Sequence, residues 1–106
     1  MRITEQEKAI FISALSSYIT PPCQLRLFGS RIDDQAKGGD IDLFLILDNE
    51  EHRKKIAFYK ADILVQIKDT LGDQKIDLII TTLNSINQSA FLKSAYAESL
   101  ELYQWS

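Results

Sequence analysis

One cysteine, one histidine and two prolines occur in 106 residues, and each scarcity removes a class of explanation. Cys23 stands alone, so no internal disulfide can form; a buried, inert thiol and a reducing, cytoplasmic setting are the expectations. His52 sits among charged residues with no Cys or Ser partner at motif spacing, and zinc-type Cys/His spacing is absent. A surface position is expected for it. No apolar run approaches the ~20 residues that span a bilayer, and the charged, polar start from Met1 to Lys8 predicts no signal peptide. Internal repeats and low-complexity segments are absent too. The net charge of -3 and pI near 5.0 argue against a broad basic surface, so direct nucleic-acid binding is not expected. Arg53, Lys54, Lys55 and Lys60 form the one basic segment, read as a solvated helix face or, more sharply, as a dock for an acidic partner or RNA.

An apolar content of 45% suits a folded domain with a modest core, and one domain over residues 1–106 is expected. The rest of the chain is organised around Leu27 to Leu47, LFGSRIDDQAKGGDIDLFLIL. Gly29 and Ser30 sit where an apolar strand gives way to polar residues, so backbone amides and a hydroxyl become available to a phosphate. Asp40 and Asp42 then open a second apolar strand. Side chains alternate in an extended chain, so these two carboxylates point one way while Ile41 points the other. Carboxylates this close repel unless a cation lies between them, which suits magnesium.

In chain order, Thr4 and Glu7 form a capping box for a helix from Thr4 to Ile19, stopped by Pro21-Pro22. Strand one runs Gln24 to Phe28. The link 31–39 is polar, with a short helical turn after Ser30 and a flexible Gly38-Gly39. Strand two, Ile41 to Leu47, is apolar on both faces beyond Asp42 and belongs in the middle of the sheet. Asp48 is read as the cap of one long helix, Asn49 to Leu71, with Ile56, Tyr59, Ile63, Ile67 and Leu71 as its buried stripe and Gly72 as its stop. Strand three is Lys75 to Thr81. Leu83 to Asn87 reads as a loop, and Gln88 to Glu98 as a last helix with Phe91, Leu92, Ala95 and Tyr96 inward. Ser99 to Trp105 reads as an edge strand, with Tyr103 and Trp105 packed in the core or presented to a partner. The fold class is α/β (α+β): a small mixed sheet of three to four strands flanked by helices.

Topology turns this order into a site. A helix of ~20 residues covers ~30 Å, enough to return the chain along the whole of strand two, so strand three runs parallel to it. Strand one, joined to strand two by a short link, runs antiparallel. Asp40, Asp42, Asp77 and the Gly29-Ser30 turn then meet at one sheet edge. Plainer readings stand beside these. Asp77 could be a solvent-facing strand-start residue, Gly29-Ser30 an ordinary strand-to-helix turn with Ser30 as cap, and Arg31 a solvated arginine rather than a phosphate contact. For Asp42 the plain reading is costly, because an unpaired carboxylate beside leucines and a phenylalanine is expensive.

Gly29-Ser30 followed by Asp40-Ile41-Asp42 and an apolar strand resembles the signature of the DNA polymerase beta-type nucleotidyltransferases, and in particular their minimal nucleotidyltransferase (MNT) members. The resemblance covers most of the chain; it departs in having Gly39 where a serine often precedes the first aspartate. It implies a polymerase beta-like fold and two Mg²⁺ ions held by Asp40, Asp42 and Asp77. It also implies a nucleoside triphosphate, ATP, bound through Gly29, Ser30 and Arg31, and AMP transfer to a hydroxyl. About 29 residues follow Asp77, too few for an acceptor domain, so the resemblance implies acceptor groups from another chain. In the MNT group that chain is a helical HEPN-type protein, and the MNT member acts as an antitoxin by adenylylating it. The alternatives are a binding module that neutralises its partner by contact alone, and a transferase acting on a small molecule or tRNA.

Overall fold

The structure is a computed structural model that describes residues 3–29, 40–72 and 74–106. Helix α1 (Glu5–Ser16) opens the chain. Thr4 caps it reciprocally, its hydroxyl accepting from the Glu7 amide at 3.0 Å while its own amide donates to Glu7 Oε1 at 2.8 Å. Strands β1 (Cys23–Phe28) and β2 (Ile41–Leu47) follow, then helices α2 (Glu50–Phe58) and α3 (Lys60–Leu71), strand β3 (Ile76–Thr82), helices α4 (Leu83–Asn87) and α5 (Ala90–Glu98), and strand β4 (Leu100–Trp105). The sheet order is β3-β2-β1-β4. β2 lies parallel to β3 and antiparallel to β1, while β1 pairs antiparallel with β4. Strand two is therefore internal, and the two directions expected from the connection lengths are the ones observed.

Three expectations are corrected. The segment 49–71 is two helices, because Tyr59 leaves helical geometry; its amide folds back to Ile56 O, and its carbonyl starts the next ladder by accepting from Ile63. Its ring packs at 5.3 Å from Tyr18 and 5.1 Å from Phe58, contacts that no local pattern announces. The cap of α2 is Asn49 rather than Asp48. Asn49 is extended and accepts from the His52 amide at 2.8 Å, whereas Asp48 bonds the His52 Nδ1 at 2.7 Å. Residues 83–87 are helical, held by the Thr82 hydroxyl accepting from the Ser85 amide. The short helical turn expected after Ser30 lies outside the described residues.

The two sheet faces differ. On one, Leu25, Leu27, Ile41, Leu43, Leu45, Leu47, Ile76, Leu78 and Leu102 join Phe11, Ala14 and Leu15 of α1, Ile56 of α2, and Ile63 and Ile67 of α3 in a continuous buried core. Each fully buried aliphatic contributes about 1.5–3 kcal/mol, so this layer dominates stability. Cys23 closes it; burial holds the thiol's pKa up at about 12, as an inert cysteine requires. On the opposite face the buried apolar cluster among the described residues is smaller, Phe28, Phe44, Ile46 and Ile86, with Ile79, Leu92, Ala95 and Tyr96 packed against it. Phe28 and Phe44 stack with centroids 4.2 Å apart. Arg26 ties the end of α5 down on this side: its Nε donates to Ser99 Oγ at 2.6 Å, and its guanidinium lies 4.8 Å from the Tyr96 ring centroid. Of the terminal aromatics, Tyr103 is exposed, while half-buried Trp105 packs against the core and donates to Ser16 Oγ at 3.0 Å.

Candidate active site

Strand register builds the site. Phe28 of β1 and Asp77 of β3 both stand beside Asp42, one on each side. Asp40 lies one residue before β2, where the Ile41 amide donates to Lys75 O at 3.0 Å and begins the parallel ladder. Alternation puts Asp42 and Asp77 on the same face as Phe44 and Ile79, the thinly covered one. The three aspartates singled out in the sequence thus arrive at one sheet edge, together with Gly29.

The carboxylates are not equivalent. Asp42 and Asp77 are register partners on neighbouring strands, and the Asp42 carboxyl titrates above its usual value of 3.8. Desolvation is the largest cause, followed by the charge of Asp77 and then that of Asp40, with Lys75 opposing them. Asp40 instead faces Lys75, whose Nζ stands 3.4 Å from its Oδ2. Among the described residues no group of three acidic, His or Cys side chains stands close enough to hold one ion. A divalent cation nonetheless fits the Asp42–Asp77 pair. Carboxylate oxygens are hard donors, and the repulsion that pushes the Asp42 carboxyl up is what such a cation relieves.

Gly29 is where the backbone must be glycine. Its φ is +77°, and a Cβ there would strike the Asp42 carboxylate, with Asp42 Cγ only 3.1 Å away. The absence of a side chain lets the chain turn directly against the acidic pair. Ser30 and Arg31, the other expected phosphate contacts, lie outside the described residues, as does the Gly38-Gly39 turn.

Two clefts open at this edge and share Phe28, Asp42 and Phe91. One, of about 610 Å³, is lined also by Gly29, Ser94 and Glu98. The other, of about 370 Å³, is lined also by Asp77, Ile79 and Lys60. Phe91 corrects the expectation that it packs inward, since 69% of it is exposed. The recurrence 91, 94, 95, 98 was visible as a helix face, but mixing Phe with Ser and Glu disguised it as ordinary amphipathicity. Ser94, Glu98 and Lys75 were not singled out from the sequence, and only the spacing of that face would have flagged the first two. Of the basic segment, Arg53 pairs with Glu50, and Lys60 alone reaches the smaller cleft.

No helix among the described residues is long and apolar enough to cross a membrane. No curated protein matches the chain. Residues 12–106 match the family model described as Polymerase beta, Nucleotidyltransferase.

Proposed function

Because this chain belongs to the polymerase beta nucleotidyltransferases, we propose that it transfers AMP from ATP, with Mg²⁺, to a hydroxyl on a helical HEPN-type partner protein, acting as an antitoxin. The observation that carries the chemistry is the Asp42–Asp77 contact, made by in-register neighbours on parallel strands. The partner and the antitoxin role rest on the resemblance of Gly29-Ser30 with Asp40-Ile41-Asp42 to the MNT signature. Cytoplasmic placement rests on that role and on the unpaired Cys23.

In this reading Asp42 and Asp77 would hold the metal, with Asp40 at the same sheet edge. Bound Mg²⁺ supplies charge neutralisation on the triphosphate and on the departing pyrophosphate. Gly29 brings backbone to the acidic pair without a side chain between them, and Ser30 and Arg31 contact phosphate oxygens. Asp77 takes the proton of the acceptor hydroxyl on a carboxylate oxygen. The acceptor oxygen bonds to the α-phosphorus as the bond from that phosphorus to the bridging oxygen of the β-phosphate breaks, and pyrophosphate leaves. Lys75, adjacent to Asp40, offsets part of the negative charge at this edge before nucleotide arrives.

Intact-mass spectrometry of the partner, incubated with the protein, ATP and Mg²⁺, tests the reading. AMP-sized additions with the wild type and none with Asp42→Asn are expected. A stable complex without any addition would replace transfer by neutralisation through contact.

A further inference from the structure

Helix α5 crosses the thin face of the sheet along the acidic edge. Near its start, Phe91 lines a cleft with Asp77 and Ile79 of β3. At its other end, Ser99 takes hydrogen bonds from Arg26 of β1, and β4 begins with Leu100 opposite Leu27. Between these ends, Phe91, Ser94 and Glu98 fall on one stripe that walls the larger cleft opposite Gly29 and Asp42. α5 buries none of its residues fully. Its cleft-facing groups are therefore left available rather than consumed by packing.

The chemistry of this wall is specific. Phe91 offers a largely exposed ring beside Asp42, where a large apolar side chain gains nothing from the core. Ser94 offers a hydroxyl, and Glu98 a carboxylate that accepts but, when ionised, cannot donate. Such a wall suits a planar ring carrying N–H or O–H donors and repels a phosphate chain. From Phe91 to Glu98 the helix advances about 10 Å, and the cleft volume of about 610 Å³ lies within the ordinary range for small-molecule sites. Gly29, at the phosphate-side turn, closes this cleft and not the smaller one, whereas Asp77 lines the smaller one and not this.

We infer that the Phe91–Ser94–Glu98 face of α5 is the nucleoside-recognition wall of the site, with the base stacked on Phe91 and Glu98 accepting from the nucleoside's amino or hydroxyl donors. This inference rests on the nucleotidyltransferase reading. Phe91 then also separates the two clefts: the nucleoside occupies the larger, and the acceptor hydroxyl approaches Asp77 through the smaller.

The test is calorimetric titration of the full chain with MgATP and, separately, with Mg-tripolyphosphate, which lacks a nucleoside. Base stacking on an aromatic ring is worth about 1–3 kcal/mol. Phe91→Ala is therefore expected to weaken MgATP binding about 5- to 150-fold and leave tripolyphosphate affinity unchanged, while Phe91→Trp restores MgATP binding. Glu98→Gln is expected to alter the preference among ATP, GTP and CTP without moving tripolyphosphate. MgATP affinity unchanged in Phe91→Ala would overturn the inference and leave the transferase reading intact. A wild type that binds neither ligand would overturn both.

Discussion

The two faces of this sheet are made from the same strands and do different work. In β2, Ile41, Leu43, Leu45 and Leu47 all enter the thick core under α1, α2 and α3. The intervening positions are Asp42, Phe44 and Ile46, of which only the last two are buried apolar residues. One face is filled to exclude water, while the other stops short of its edge, leaving room for carboxylates and two clefts. A strand that is apolar on both sides except at one end marks where core packing stops. That end carries the candidate chemistry.

The sharpest way to test the division is to substitute at the thin edge. Asp42→Asn is expected to lower transfer on the order of 10³-fold or more, about 4 kcal/mol of transition-state stabilisation, measured as AMP addition to the partner. Retained activity would dissolve the functional half of the comparison. On the thick face, Phe11→Ala removes a fully buried ring and is expected to cost about 3–5 kcal/mol of unfolding free energy, read by urea denaturation. Phe91→Ala, exposed on the other side, is expected to stay within about 0.5 kcal/mol of wild type in the same assay. Equal losses would erase the contrast between the layers.

Smaller effects refine the edge itself. Gly29→Ala forces a Cβ into left-handed backbone, costing about 1–2 kcal/mol, and presses it on the Asp42 carboxylate. Reduced stability together with weakened MgATP binding is expected, and an unchanged crystal structure and affinity would contradict the close approach. The smallest effect has the opposite sign. The folded-state pKa of Asp42 is raised above 3.8, so below about pH 4 the group is protonated in both folded and unfolded chains and costs nothing. As pH rises through the raised pKa, folding must hold an ion it disfavours, and stability falls. Asp42→Asn removes that cost, so without metal its melting temperature at neutral pH is expected to exceed that of wild type. Solvent reaches this half-buried group, which keeps the gain small. Wild-type affinity for Mg²⁺ is expected to weaken as pH falls toward 4, because a proton then competes for the site.

Much of this arrangement was readable from residue order. Alternation across Asp40-Ile41-Asp42 and the length of chain between strands two and three were enough to bring Asp40, Asp42 and Asp77 to one edge, because a crossover of that length fixes the parallel direction and the side-chain period fixes the face. What escaped was set by contacts distant in sequence. Nothing at Tyr59 breaks a helix locally; its break coincides with packing against Tyr18. Asp48 and Asn49 are equally good caps in sequence, and the choice follows from which of them is extended when His52 takes up the other. Phe91 fitted an inward stripe because periodicity records spacing and not which neighbour is missing. The pairing of Asp40 with Lys75 across the strand ends has no signature in the sequence.

The most direct test of the central claim compares label transfer to the partner from ATP carrying radioactive phosphorus at the α position with transfer from ATP carrying it at the γ position, both with Mg²⁺. Label from the α position alone, abolished in Asp42→Asn, is the result expected of nucleotidyl transfer at this edge. Label from the γ position, or α label that persists in Asp42→Asn, would contradict it.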